Sequence, residues 1–130
     1  MLYLDSSAIV KLVAPEPETA SLIEVLRSDP DTISSALARV EVTRAVMRAG
    51  GTSDRVSRAS AVLDRIALVP MDADILGRAV VLEPRDLRTL DAIHLATALL
   101  LRQDIAGLVT YDARLADAAA AADISILAPS

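Results

Sequence analysis

Hydrophobic positions along this chain repeat at two spacings. Short runs at residues 2–4, 32–34, 68–69, 108–110 and 124–127, most of them bounded by Asp, Pro or Gly, predict strands. Between them, apolar residues recur every three or four positions and predict helices over 8–13, 18–27, 36–49, 53–67, 72–82 and 90–101. A further Ala-rich helix follows Asp112. The punctuation agrees with this division. Asp29-Pro30 stops one helix, Gly50-Gly51 offers a C-cap to another, and the hydroxyls of Ser6 and Ser53 are placed to cap helix starts. The segment 90–101 is the most apolar helix and belongs at the centre of the fold. Strands separated by helices require crossovers, so the pattern predicts an α/β fold with a mainly parallel sheet covered by helices on both faces.

Composition then removes several kinds of chemistry. The 130 residues are 53% hydrophobic and 24% charged, too apolar for a disordered chain and of a length that suits one domain over residues 1–130. With no cysteine and a single histidine, His94, disulfides, thiolate zinc sites and iron–sulfur clusters are excluded, as is zinc held by several imidazoles. No apolar stretch approaches the roughly 20 residues of a membrane span. The first residues carry no basic leader followed by a long apolar region, so the expected location is cytoplasmic and no membrane partner is expected. Only four glycines occur, and none builds a phosphate-binding loop. Lys11 is the only lysine, and no nucleophile elbow accompanies His94, which disfavours phosphoaspartyl and serine-hydrolase chemistry.

Carboxylates at strand ends and helix starts remain. Asp5 closes the first predicted strand and Asp112 follows the fourth, which puts both at the carboxyl edge of a parallel sheet, where ligands bind in open α/β folds. Asp91 lies in the first turn of the apolar helix and Glu41 in the helix after the second strand. Four such acids brought together would repel one another strongly unless a cation joined them. Ligation by oxygen alone selects a hard ion, Mg²⁺ or Mn²⁺.

The segments Tyr3-Leu-Asp-Ser-Ser-Ala-Ile-Val-Lys-Leu12, Arg39-Val-Glu41-Val, Arg88-Thr-Leu-Asp-Ala-Ile-His-Leu-Ala96 and Val109-Thr-Tyr-Asp-Ala-Arg-Leu115 together resemble PIN-domain ribonucleases. Within that group the sequence is most similar to VapC-type toxins of toxin–antitoxin pairs. The resemblance runs over the whole chain and implies a single PIN-like nuclease domain. It also implies that Asp5, Glu41, Asp91 and Asp112 hold Mg²⁺, with Mn²⁺ as a substitute. Asp5 and Asp91 would then be direct ligands, with Glu41 and Asp112 acting partly through bound water. Hydrolysis of RNA phosphodiesters to 5′-phosphate and 3′-hydroxyl ends follows from the same likeness, as do a cognate antitoxin and a homodimer. A processing nuclease without an antitoxin and a non-enzymatic binding module on the same fold are the alternatives.

The net charge of -5 opposes a nucleic-acid partner at first sight. With the four candidate acids set aside, the other 14 acidic residues nearly balance the 13 basic ones. Arg44 and Arg48, three and seven positions after Glu41, share its helix face and are candidates to hold flanking phosphates; an ion pair on a solvated face is the competing reading. Arg85 and Arg88, just before Asp91, are open to the same two readings. Ser6 is read first as a helix cap and second as a group that places metal-bound water. His94 is read as a packed or hydrogen-bonded structural residue. Asp117, about 140° around its helix from Asp112, should face elsewhere. The chain has two tyrosines and no Phe or Trp, so recognition would rest on RNA shape and backbone, with transfer RNA among the candidates.

Overall fold

Each strand is joined to the next through one or two helices, and every strand pairing is accordingly parallel. The computed structural model describes all 130 residues. Its five strands are β1 (Leu2–Leu4), β2 (Thr32–Ser35), β3 (Ala67–Val69), β4 (Gly107–Val109) and β5 (Ile126–Leu127). Its seven helices are α1 (Ser6–Val13), α2 (Thr19–Ser28), α3 (Leu37–Arg48), α4 (Ser53–Asp64), α5 (Ala73–Val80), α6 (Thr89–Leu100) and α7 (Ala113–Ala121). The sheet order is β3-β2-β1-β4-β5. The chain thus leaves β1 toward one edge, and α5 and α6 carry it back so that β4 pairs with the other side of β1. Leu4 lies opposite Val109 in that pairing, so the residues that follow, Asp5 and Thr110, emerge side by side. A reversal of this kind opens a crevice at the carboxyl ends of the two strands.

Alternation along β1 sends its residues to two different cores. Leu2 and Leu4 join Ile9, Val13, Leu22, Val42 and Leu63 beneath α1 to α4. Tyr3 faces the opposite way and packs with Leu95, Leu108, Leu115 and Ala119. Helix α6 is buried continuously from Ala92 to Ala98, which is why its sequence is apolar all round rather than on one stripe. It is the central helix of its face, with α5 docked on it through Ile75 and Ile93.

Helix ends explain where the boundaries differ from expectation. Asp5, not Ser6, caps α1: its carboxylate accepts from the Ala8 amide at 3.0 Å, and Ser6 is already in the helix. Thr52 rather than Ser53 caps α4, and α4 stops at Asp64 because Ala67 pairs with Ile33 in the sheet. Helix α3 ends as its two glycines predict. Gly50 adopts the left-handed conformation (φ 73°), and the amides of Gly51 and Gly50 close on the carbonyls of Val46 (2.9 Å) and Met47 (3.1 Å).

Candidate active site

The crevice between β1 and β4 is built around Asp5. Its side chain is almost fully buried, 3% exposed, and every one of its protein contacts is a donor. Oδ1 accepts from Ser7 Oγ at 2.6 Å and from the Ala8 amide, and Oδ2 accepts from Thr110 Oγ1 at 2.6 Å. Burial pushes the Asp5 carboxyl up, while these donors and nearby His94 pull it down; burial prevails. The same hydroxyls join the two turns. Ser7 Oγ accepts from the Tyr111 amide at 2.9 Å and Thr110 Oγ1 accepts from the Asp112 amide at 3.1 Å. Asp112 in turn caps α7 through Oδ1, which accepts from the Leu115 amide at 3.0 Å.

Glu41 reaches the crevice from α3. Its Oε1 accepts from Ser6 Oγ and from His94 Nε2, both at 2.6 Å. Burial raises its carboxyl, but the donors from His94 and Ser6 outweigh that and hold it below the usual range. Asp91, at the start of α6, has no protein donor on either oxygen. Partial burial, then the negative charges of Asp112, Asp5 and Glu41, push its carboxyl up, with His94 offsetting part of the effect.

All four predicted acids line one cavity of about 320 Å³, together with Ser6, Arg88 and His94. Roomier grooves lie elsewhere, of about 560 Å³ between α5 and α6 and about 870 Å³ beside α7. The first carries no acid; the second has Glu83, Asp86 and Asp117 beside Arg114, but none of them belongs to the strand-end acids, so the gathering of four carboxylates rather than volume marks the site. The donor set fits a hard divalent cation, being oxygen throughout, with both Asp91 oxygens, one of Asp112 and one of Glu41 free of protein donors. As the side chains stand, no three acids form a ready ligand shell.

A family model described as the PIN domain matches residues 2–121. The chain belongs to the PIN-domain family. It is 46% identical to ribonuclease VapC46 of Mycobacterium tuberculosis, over 99% of this chain and 98% of that one. It is 40% identical to ribonuclease VapC47 of the same species, over 88% and 87% of the two chains. Among solved structures it is similar to a chain of a toxin–antitoxin complex from Klebsiella pneumoniae, with TM-score 0.75, 21% identity and coverage of 100% and 98%. VapC20 of Mycobacterium tuberculosis, a Sarcin-Ricin loop cleaving toxin, aligns with TM-score 0.73 at 19% identity, over 99% of this chain and 100% of that one.

The other predicted residues of this PIN domain divide. Arg88 lines the acidic cavity. Arg48 lines an adjoining groove that it shares with Glu41, Ser6, Lys11 and Tyr111. Arg44 is solvent-exposed and makes no ion pair with Glu41, whose charge is already taken by Ser6 and His94. Arg85 is outside the site: it pairs with Glu83 at 3.3 Å, is 92% exposed and borders the apolar α5–α6 groove. Asp117 also faces elsewhere, beside Arg114 and Glu83. Ser6 holds Glu41 in place of the capping role expected of it. Sequence reasoning missed Ser7, Thr110 and Tyr3. The signal for the first two was faint: a hydroxyl two residues from each strand-end acid.

Proposed function

We propose that this protein is a metal-dependent endoribonuclease toxin, held inactive by a cognate antitoxin. One observation carries the reading: the four acids of the PIN motifs, dispersed over more than 100 residues, line one cavity in a chain 46% identical to a ribonuclease. Both alternatives are less well supported. A binding module has no need of four mutually repelling carboxylates, and the likeness to VapC ribonucleases, 46% identical over nearly the full length of both chains, favours a toxin over a processing enzyme.

Asp5 and Asp91 would hold Mg²⁺ or Mn²⁺ directly, with Glu41 and Asp112 contributing partly through water. An ion held there would supply an acidified water for attack on phosphorus and offset charge on the phosphoryl oxygens. Asp5, immobilised by three donors, sets the position of the site relative to the sheet. Asp112 is turned by its capping bond, which leaves its second oxygen for the cavity. Arg88 at the rim and Arg48 in the adjoining groove would take phosphates on either side of the scissile bond, and Arg44, exposed on the helix that carries Glu41 and Arg48, is a further candidate. Substrate selection would rest on RNA shape and backbone, with transfer RNA among the candidate structured RNAs.

The antitoxin would lay a segment across the acidic cavity and present a basic side chain to it, neutralising the carboxylates and obstructing metal and RNA together. A homodimer is supported by the α5–α6 groove, where Leu76, Val80 and Val81 expose apolar surface for a second copy to cover. No helix is long and apolar enough to cross a membrane, and action in the cytoplasm accords with that. The test is cleavage of a pool of structured RNAs by the purified protein with Mg²⁺ or Mn²⁺, against chelator and Asp5→Asn. Metal-dependent cuts bearing 5′-phosphates, absent from the variant, are expected. Equal behaviour of wild type and Asp5→Asn on RNA and DNA would sink the nuclease reading.

A further inference from the structure

Several polar groups are buried beneath α6: Thr97 and Ser34 donate to the carbonyls of Ile93 and Leu4, and Tyr3 and His94 form a chain that leads to the cavity. Tyr3 is fully buried and its hydroxyl stands 2.8 Å from His94 Nδ1. The two rings meet edge to face, with centroids 5.9 Å apart and planes at 83°. On its far side, His94 Nε2 meets Glu41 Oε1 at 2.6 Å, and Ser6 Oγ lies 3.3 Å from the same nitrogen. A carboxylate cannot donate, so the proton between His94 and Glu41 belongs to Nε2. Nδ1, on the other side of the ring, bonds the Tyr3 hydroxyl, accepting from it in the neutral imidazole and donating to it when both nitrogens carry protons. The polar chain runs from the middle of the central strand outward to an acid on α3.

We infer that Tyr3 and His94 are positioning residues that orient the Glu41 carboxylate toward the metal site. The inference rests on the proposed reading of Glu41 as part of the metal site. Glu41 needs such support more than the other acids do. Asp5 and Asp112 are short side chains fixed by their own capping bonds, whereas glutamate has an additional rotatable bond and Glu41 accepts nothing from its own helix. With Oε1 occupied by His94 and Ser6, Oε2 is the oxygen left to face a cation. A role limited to packing would not call for the Tyr3 hydroxyl: phenylalanine would fill the same space without a buried polar group that needs a partner, and the neighbouring Ser34 and Thr97 already donate to the carbonyls of Leu4 and Ile93. Ligand carboxylates commonly depend on such outer partners, whose loss costs about 10- to 100-fold in metal affinity.

The experiment is Mn²⁺ binding to the purified protein, followed by the loss of the free-ion spectroscopic signal, for wild type, Glu41→Gln, Tyr3→Phe, His94→Leu and His94→Gln. Thermal unfolding without metal accompanies each variant. His94→Leu is expected to weaken Mn²⁺ binding by about 10-fold or more. Tyr3→Phe, which keeps the ring and so the packing, is expected to weaken it about 3- to 10-fold. His94→Gln should recover most of the loss, because its amide presents a donor near the position of Nε2. At saturating metal the turnover of Tyr3→Phe should return toward wild type. If Glu41→Gln loses affinity while folded Tyr3→Phe and His94→Leu bind as wild type, the positioning role is overturned and the metal site stands. If Glu41→Gln itself binds Mn²⁺ as wild type does, Glu41 is no ligand and the relay falls with that reading. Should His94→Leu fail to fold, Tyr3→Phe decides the matter alone, and wild-type binding by it overturns the positioning role.

Discussion

Asp5 and Asp91 bring carboxylates into the same cavity, yet Asp5 accepts three hydrogen bonds from Ser7, Ala8 and Thr110, and Asp91 accepts none from the protein. Both carboxyls are raised, for different reasons. Asp5 is raised by burial alone against its donors, and Asp91 by burial together with the three acids around it. The wall formed by β1 and β4 is thus complete within the protein, whereas the wall at the start of α6 is left with a carboxylate that no protein group hydrogen-bonds and that His94 only partly offsets. The contrast separates two duties. Asp5 fastens two strands as well as facing the cavity; Asp91 serves only what enters it.

That division can be broken in four ways. The largest effect concerns cleavage: Asp5→Asn and Asp91→Asn should each lower single-turnover RNA hydrolysis at least 100-fold, on the order expected when several kcal/mol of charge stabilisation is lost. Retained cleavage in either would remove that acid from the chemistry. Next, Asp5→Ala should destabilise the metal-free protein by about 3 kcal/mol, through the lost cap and the donors left unpaired, and Asp91→Ala should stay within about 0.5 kcal/mol of wild type. Urea unfolding in chelator distinguishes them, and equal losses would erase the contrast between the walls. Thr110→Val, which removes the donor to Asp5 and the acceptor of the Asp112 amide, should cost about 1–2 kcal/mol in the same assay, and no cost would mean that the strand-to-strand link is dispensable.

The smallest effect has the opposite sign. In chelator, Asp91→Asn should raise stability by a few tenths of a kcal/mol, because it relieves repulsion among half-exposed charges that solvent screens. The gain should depend on pH. With its carboxyl raised by folding, Asp91 takes up its proton in the folded state before the unfolded chain does as pH falls. Its penalty is therefore full at neutral pH and fades as pH falls through the carboxylate range, so the two stability curves should converge there. A gap that widens on acidification would contradict this account.

Much of this arrangement was legible from residue order, and the remainder was not for identifiable reasons. Asp5, Asp91 and Asp112 could be picked out because strand ends and helix starts are local features, Glu41, a turn inside α3, stood out through the likeness of its segment to PIN-domain ribonucleases, and the five strands and seven helices follow from period and punctuation. What supports each acid was hidden. Thr110 is 105 residues from Asp5, and His94 is 53 from Glu41 and 91 from Tyr3, separations that no local pattern encodes. Ser6 was misread because a hydroxyl beside an acid at a helix start is as good a cap as the acid itself; where β1 ended decided between them. The excess length expected of α4 has a similar origin. Residues 65–67 fit a helical period, and only pairing with Ile33 draws Ala67 into the sheet. Arg85 shares a loop with Arg88 yet points away, a difference set by loop conformation rather than spacing.

The pairing of the first strand with the fourth also governs timing during synthesis. A ribosome releases the chain from its N-terminus, so Asp5 and Glu41 emerge early, while β4, Thr110 and Asp112 come near the end. Until residues 107–112 have arrived, β1 has a neighbour on one side only, and the cavity lacks the wall that locks Asp5. A chain synthesised only as far as α6 therefore already holds Asp5, Glu41 and Asp91 but lacks the strand that closes the cavity around them.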